Sequence, residues 1–65
     1  MDKKERKQFV EDVREQVAIA KEAMVKIMQL AKDKDGSVAY MAKYRHDDLD
    51  MITRCAEINK EAEDL

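Results

Sequence analysis

The sequence predicts an all-α fold, an antiparallel two-helix hairpin that dimerises into a four-helix bundle. Three observations lead to this prediction. Apolar residues recur every three or four positions in both halves of the chain, as they do along one side of a helix. The 65 residues include no proline, and the one glycine, Gly36, lies in a short polar stretch between the two periodic halves. Residues 1–65 are therefore expected to form a single helical-hairpin domain.

The first half of the chain predicts a helix over about residues 3–33. Its apolar positions alternate steps of three and four over three heptads, which is typical of a stripe that packs against a neighbouring helix. Glu15, Glu22 and Gln29 lie on the opposite side and are expected to face water. The predicted stripe consists of Val10, Val13, Val17, Ala20, Met24, Ile27 and Ala31.

A turn is predicted over residues 34–37, where the apolar pattern stops. Gly36 stands where a left-handed residue would end the first helix, because glycine adopts that conformation without a Cβ clash. Ser37 follows it and could cap the next helix with its hydroxyl oxygen. A short turn of this kind makes the two helices antiparallel neighbours.

The second half predicts a helix over about residues 38–63, again with an apolar stripe. Cys55 lies on this stripe and is expected to fill the core as a small apolar side chain. Asp48 is its one charged member, with Arg45 three residues earlier as the nearest partner, and we expect Asp48 to set the register of packing. The stripe consists of Met41, Tyr44, Asp48, Met51, Cys55, Ile58, Ala62 and Leu65.

The second helix carries more apolar surface than one neighbouring helix can cover. Its apolar positions span an arc of roughly 200°, about twice what a single helix contact buries. This surface can be covered most simply by a homodimer of two hairpins. The alternative is that the excess surface binds a different protein. The residues expected at a dimer interface are Val38, Leu49, Ile52 and Ala56 on the second helix and Ile19 and Val25 on the first.

A dense cluster of polar and aromatic side chains marks the first half of the second helix. Tyrosine and arginine are enriched among residues that dominate protein binding, and carboxylates beside them can pair with a basic surface. No pattern of His, Cys or carboxylate ligands completes a metal site, and His46 and Cys55 fall on opposite faces of the predicted helix, so we expect no metal, cofactor or catalytic residue. The predicted partner-binding residues are Tyr40, Tyr44, Arg45, His46, Asp47 and Asp50.

The segment from His46 to Asp50 resembles the Ser-Gln-Glu-Leu-Asp motif of the small sporulation-regulating aspartyl-phosphate phosphatases, which are two-helix hairpins. Leu49 and Asp50 match the motif, Asp48 replaces its Glu, and His46 and Asp47 replace its Ser and Gln. The resemblance implies, as an alternative function, a phosphatase acting on a response regulator. The predicted shape is also similar to that of a plasmid copy-number RNA-binding protein, which implies a dimeric RNA-binding bundle as another alternative.

The function we expect is that of a small non-enzymatic regulator or inhibitor that docks on a larger protein or protein complex. The formal net charge of -2 argues against bulk attraction to nucleic acid, and no apolar run is long enough to span a membrane. The charged opening Asp2-Lys3-Lys4-Glu5 does not resemble a signal peptide, so a cytoplasmic location is expected. Accessory proteins of phages and mobile elements are often of this size.

Overall fold

The computed structural model describes the backbone of residues 2–64 and the side chains of residues 2–59, and within that range every regular element is helical. The all-α prediction is thereby confirmed. Leu49 alone separates the second and third helices, and its backbone keeps right-handed helical angles (φ −61°, ψ −27°), so the two form one long arm. The helices are α1 (Lys3–Ala31), α2 (Gly36–Asp48) and α3 (Asp50–Asp64).

The α2–α3 arm lies antiparallel to α1. Two ion pairs between the arms show this direction: Arg14 Nη2 lies 2.6 Å from Glu57 Oε1, and Lys21 Nζ lies 2.9 Å from Asp50 Oδ1. As residue numbers rise along α1, those of the partners fall. The result is an elongated hairpin whose Cα trace measures 49 × 15 × 10 Å.

The turn between the arms is built by aspartates, so the predicted roles of Gly36 and Ser37 are wrong. The left-handed residue after α1 is Asp33, with φ 63°. The residue that caps α2 is Asp35, whose Oδ1 accepts hydrogen bonds from the backbone N–H groups of Ser37 at 3.0 Å and Val38 at 3.2 Å. Aspartate tolerates the left-handed region better than most residues and is among the strongest helix caps. These properties explain why Asp33 and Asp35 take the roles predicted for Gly36 and Ser37.

Gly36 is the first residue of α2, and it does not adopt a positive φ. A Cβ added to it would meet no atom within 4 Å. The position therefore requires no glycine, either for backbone conformation or for space.

The core between the arms is small, and its members are short side chains. Among the described residues no large side chain is fully buried, and the most buried one, Val10, is 2% exposed. The α1 stripe predicted from the sequence does face the second arm, with Val13, Ala20 and Met24 partly covered. The buried apolar residues are Val10, Val17, Ala31, Ala42 and Ala56.

The second arm packs against α1 through a different stripe from the one predicted. Ala42, Leu49 and Ala56, spaced seven residues apart, point toward α1, and Leu49 is half-buried. The described members of the predicted stripe, Cys55 included, are exposed, so the expectation that Cys55 fills the hairpin core is wrong. Small residues let helix backbones approach closely, which favours the alanine stripe. The last two members of the predicted stripe, Ala62 and Leu65, lie outside the described side chains.

Candidate interaction surface

One side of the hairpin, here called the polar face, carries the ion pairs between the arms. Arg14 donates to Glu57 Oε1 from both Nε and Nη2, at 3.1 and 2.6 Å, and Lys21 pairs with Asp50. These side chains are partly exposed to solvent, so each pair contributes only about 0–1 kcal/mol to stability.

The opposite side, here called the apolar face, carries two grooves between the arms. The first groove, of about 400 Å³, is lined by apolar side chains that include Phe9, Val13, Ala20, Leu49 and Ile52, with Asp12 and Gln16 at its margin. The second groove, of about 420 Å³, is lined by Met24, Ile27, Ser37, Val38, Met41, Ala42 and Arg45.

The two grooves form one continuous surface. A smaller depression between them is lined by Arg45, Asp48, Met51 and two residues of the first groove, Leu49 and Ile52. Arg45 belongs to both this depression and the second groove. The apolar face therefore runs along α2 and the start of α3 and is interrupted near its middle by two charged residues.

These two residues, Arg45 and Asp48, form a loose ion pair. Arg45 Nη1 lies 3.9 Å from Asp48 Oδ2, and the side chains are 61% and 48% exposed, so the predicted partner of Asp48 is confirmed. Asp48 is not buried in the hairpin and bears no large desolvation cost there. The Arg45 guanidinium also lies 5.7 Å from the centre of the Tyr44 ring, within the range of a cation–π contact.

The predicted partner-binding residues do not form one patch. Tyr40 and Tyr44 are exposed on the side of α2 that faces away from α1, here called the outer side. His46 Nδ1 lies 3.2 Å from Asp47 Oδ1. Asp50 belongs to the polar face through Lys21, and Arg45 belongs to the apolar face, so the predicted set is distributed over three sides of the arm.

The residues expected at a dimer interface are divided in the same way. Val38, Leu49 and Ile52 line the apolar face. Ala56 is buried against α1, and Ile19 and Val25 are exposed and line neither groove. The apolar spacing assigns the α1 residues of the grooves to the hairpin core, and Phe9, an apolar residue beside that stripe, is the signal in the sequence that the apolar surface extends further. The groove residues missed in this way are Phe9, Val13, Ala20, Met24 and Ile27 on α1, and Met41 of the predicted α2 stripe also lines a groove.

The described part of the chain shows no group of three or more His, Cys, Asp or Glu side chains placed to hold a metal ion. Asp50, which the phosphatase resemblance aligns with the final Asp of the motif, is held by Lys21 at 2.9 Å. Across residues 2–64 no helix combines the length and apolar character needed to cross a membrane.

Comparison with known proteins gives no relative. A scan against protein-family models finds no match, and neither do searches among curated proteins and solved structures.

Proposed function

We propose that this chain is a non-enzymatic protein-interaction module that works as a homodimer, with two hairpins packing their apolar faces together into a four-helix bundle. The observation that carries the proposal is the continuous apolar face on a hairpin whose own core consists of valines and alanines. A core of this kind supplies little of the apolar burial that a 65-residue domain needs. A second hairpin is a simple way to provide the remainder.

The solvent-accessible area supports this proposal. The hairpin exposes 5272 Å², and its mass is 7.6 kDa. A globular monomer of this mass is expected to expose about 4,300 Å², so the hairpin exposes about 1,000 Å² more. A protein interface of standard size buries about 800 Å² on each partner. The excess area is therefore about what one dimer interface would remove.

We further propose that the dimer acts as a regulator or inhibitor by docking on a larger protein through the outer side of α2. Tyr40 and Tyr44 are 67% and 53% exposed there, one helical turn apart, and neither lines a groove of the apolar face. Tyrosine supplies a large contact area with a polar tip, which suits it to protein binding.

The homodimer is tested by sedimentation equilibrium and circular dichroism across the micromolar range. We expect a mass of twice 7.6 kDa and a melting temperature that rises with protein concentration, because dissociation accompanies unfolding. A monomeric mass with a cooperative, concentration-independent melt would contradict the proposal.

The docking surface is tested separately with the double variant Tyr40→Ala, Tyr44→Ala. Affinity capture is compared between this variant and the wild-type chain at equal loading. We expect the variant to remain a dimer and to lose at least about 2 kcal/mol of affinity for a captured protein. Equal binding by the two chains would place the docking surface elsewhere.

A further inference from the structure

We infer that the two hairpins are related by a two-fold axis that passes between Arg45 and Asp48, so that Arg45 of each copy pairs with Asp48 of the other. This inference rests on the proposed homodimer and adds which residues meet. It requires α2 of one copy to run antiparallel to α2 of the second copy across the apolar faces.

The charge pattern of the apolar face is self-complementary. A two-fold interface is isologous, so if residue i of one copy contacts residue j of the other, then j also contacts i. One cation and one anion, three residues apart near the middle of the face, satisfy this condition with two identical cross-pairs. A protein of a different kind would need its own matching pair, whereas a second copy supplies it automatically.

The same two-fold axis also places apolar side chains of one copy opposite apolar side chains of the other. Pairing residue 45 with residue 48 brings Met41 of one copy opposite Ile52 of the second. Met41 lines the second groove and Ile52 lines the first, so each groove receives apolar side chains from the other copy. Both side chains are about half exposed in the single hairpin and have area left to bury.

Registers shifted by one heptad leave the charges opposed by apolar groups. A shift of one heptad in the pairing places Asp48 opposite Val38 in one direction and opposite Ile52 in the other. Both are apolar and line the grooves. An unpaired charge in an apolar interface is strongly unfavourable, and therefore Arg45 and Asp48 select one register.

The Arg45–Asp48 contact within the single hairpin is weak enough to be exchanged for contacts between copies. At 3.9 Å and about half exposed, it is held loosely and remains largely hydrated. The Arg45–Asp48 contact can therefore be exchanged for two pairs between copies without breaking a buried network. Among the described atoms, no buried side-chain donor or acceptor lacks a partner. The exchange therefore provides specificity of register more than stability.

Two charge reversals test the inference. Arg45→Glu makes this site entirely negative, and Asp48→Arg makes it entirely positive. We expect each variant alone to dissociate, with a dimer dissociation constant raised about 100-fold or more by two like-charge contacts. An equimolar mixture of the two variants is expected to form a heterodimer within about tenfold of the wild-type affinity, since opposite charges again meet. The double variant Arg45→Glu, Asp48→Arg should dimerise by itself for the same reason.

The matched control is Lys26→Glu. Lys26 Nζ lies 3.8 Å from Glu22 Oε1 in an exposed pair on α1 that lines neither groove. This reversal should leave the dimer unchanged. Mass is measured by sedimentation and helix content by circular dichroism, so that a variant that unfolds when it dissociates still reports heterodimer formation by regaining helix content on mixing.

The possible results separate this inference from the proposed function. If the wild-type chain dimerises and both single reversals dimerise equally well, the homodimer stands and the axis lies elsewhere. If each reversal dissociates but the mixture does not associate, Arg45 and Asp48 do not pair between copies. If the wild-type chain is monomeric, the proposed function itself fails.

Discussion

Two isoleucines of equal exposure provide a direct test of which surface associates. Ile52 is 52% exposed and Ile19 is 53% exposed, so Ile52→Asp and Ile19→Asp should disturb an isolated hairpin to a similar, small extent. The two positions differ in location. Ile52 lines the first groove, whereas Ile19 is rotated about 200° around α1 from the buried Val17. Only Ile52 would be covered by a second hairpin on the apolar face.

The expected effect of Ile52→Asp follows from its remaining exposed area. Complete burial of an isoleucine stabilises by about 1.5–3 kcal/mol, so covering the exposed half contributes about 1 kcal/mol per copy. The dimer contains two copies, and an aspartate at each site adds the cost of desolvating a charge. A total loss of about 4 kcal/mol or more corresponds to a rise of about 1,000-fold in the dimer dissociation constant. Ile19→Asp should change that constant by less than about threefold.

The measurement is sedimentation of the two variants and the wild-type chain across the same concentration range, with thermal melts on the same samples. Ile52→Asp should sediment as a monomer and melt at a lower temperature, while Ile19→Asp follows the wild-type chain. The reasoning is refuted if Ile19→Asp dissociates the dimer and Ile52→Asp does not. Equal losses in the two variants would show that the assembly is sensitive to charge anywhere on the hairpin.

Three further outcomes are expected. Gly36→Ala should raise the free energy of unfolding by about 0.5–1 kcal/mol in chemical denaturation, because the position has ordinary helical angles and room for a Cβ; a loss would restore a glycine requirement. Asp35→Ala should lower it by about 1 kcal/mol, since two backbone donors of α2 lose their cap, and an unchanged value would show that water replaces it. Replacing Arg45 and Asp48 together by Leu should raise the melting temperature but yield several oligomers in sedimentation, and one uniform dimer would remove their role in register.

The helices could be predicted from the sequence, and so could the stripe of α1 that faces the second arm, because α1 has one dominant apolar stripe. Val10 and Val17 are buried as their heptad spacing indicates. The turn was harder to predict, since several polar residues there could each end or begin a helix. Glycine is the usual left-handed residue, but Asp33 and Asp35 compete with it and perform both roles in the structure.

Apolar periodicity could not predict which side of the second arm packs against α1, since that arm carries two heptad-spaced stripes. One contains Ala42, Leu49 and Ala56, and the other contains Tyr44, Met51 and Ile58. Ranking by hydrophobicity favours the second stripe, because alanine contributes little apolar area. Close approach of the helices favours the first. Periodicity alone does not weigh these two effects against each other.

A second signal in the sequence, the spacing of charges, does distinguish the two stripes. Arg14 and Lys21 are seven residues apart on α1, and Asp50 and Glu57 are seven residues apart on the second arm. With the alanine stripe toward α1, all four side chains meet on one side, as the pairs at 2.6 and 2.9 Å show. Turning the Met51–Ile58 stripe toward α1 would move Asp50 and Glu57 to the other flank, away from both cations. Each exposed pair is weak, but two pairs with the same heptad spacing act together with the close packing of alanine to leave the larger side chains of the other stripe exposed.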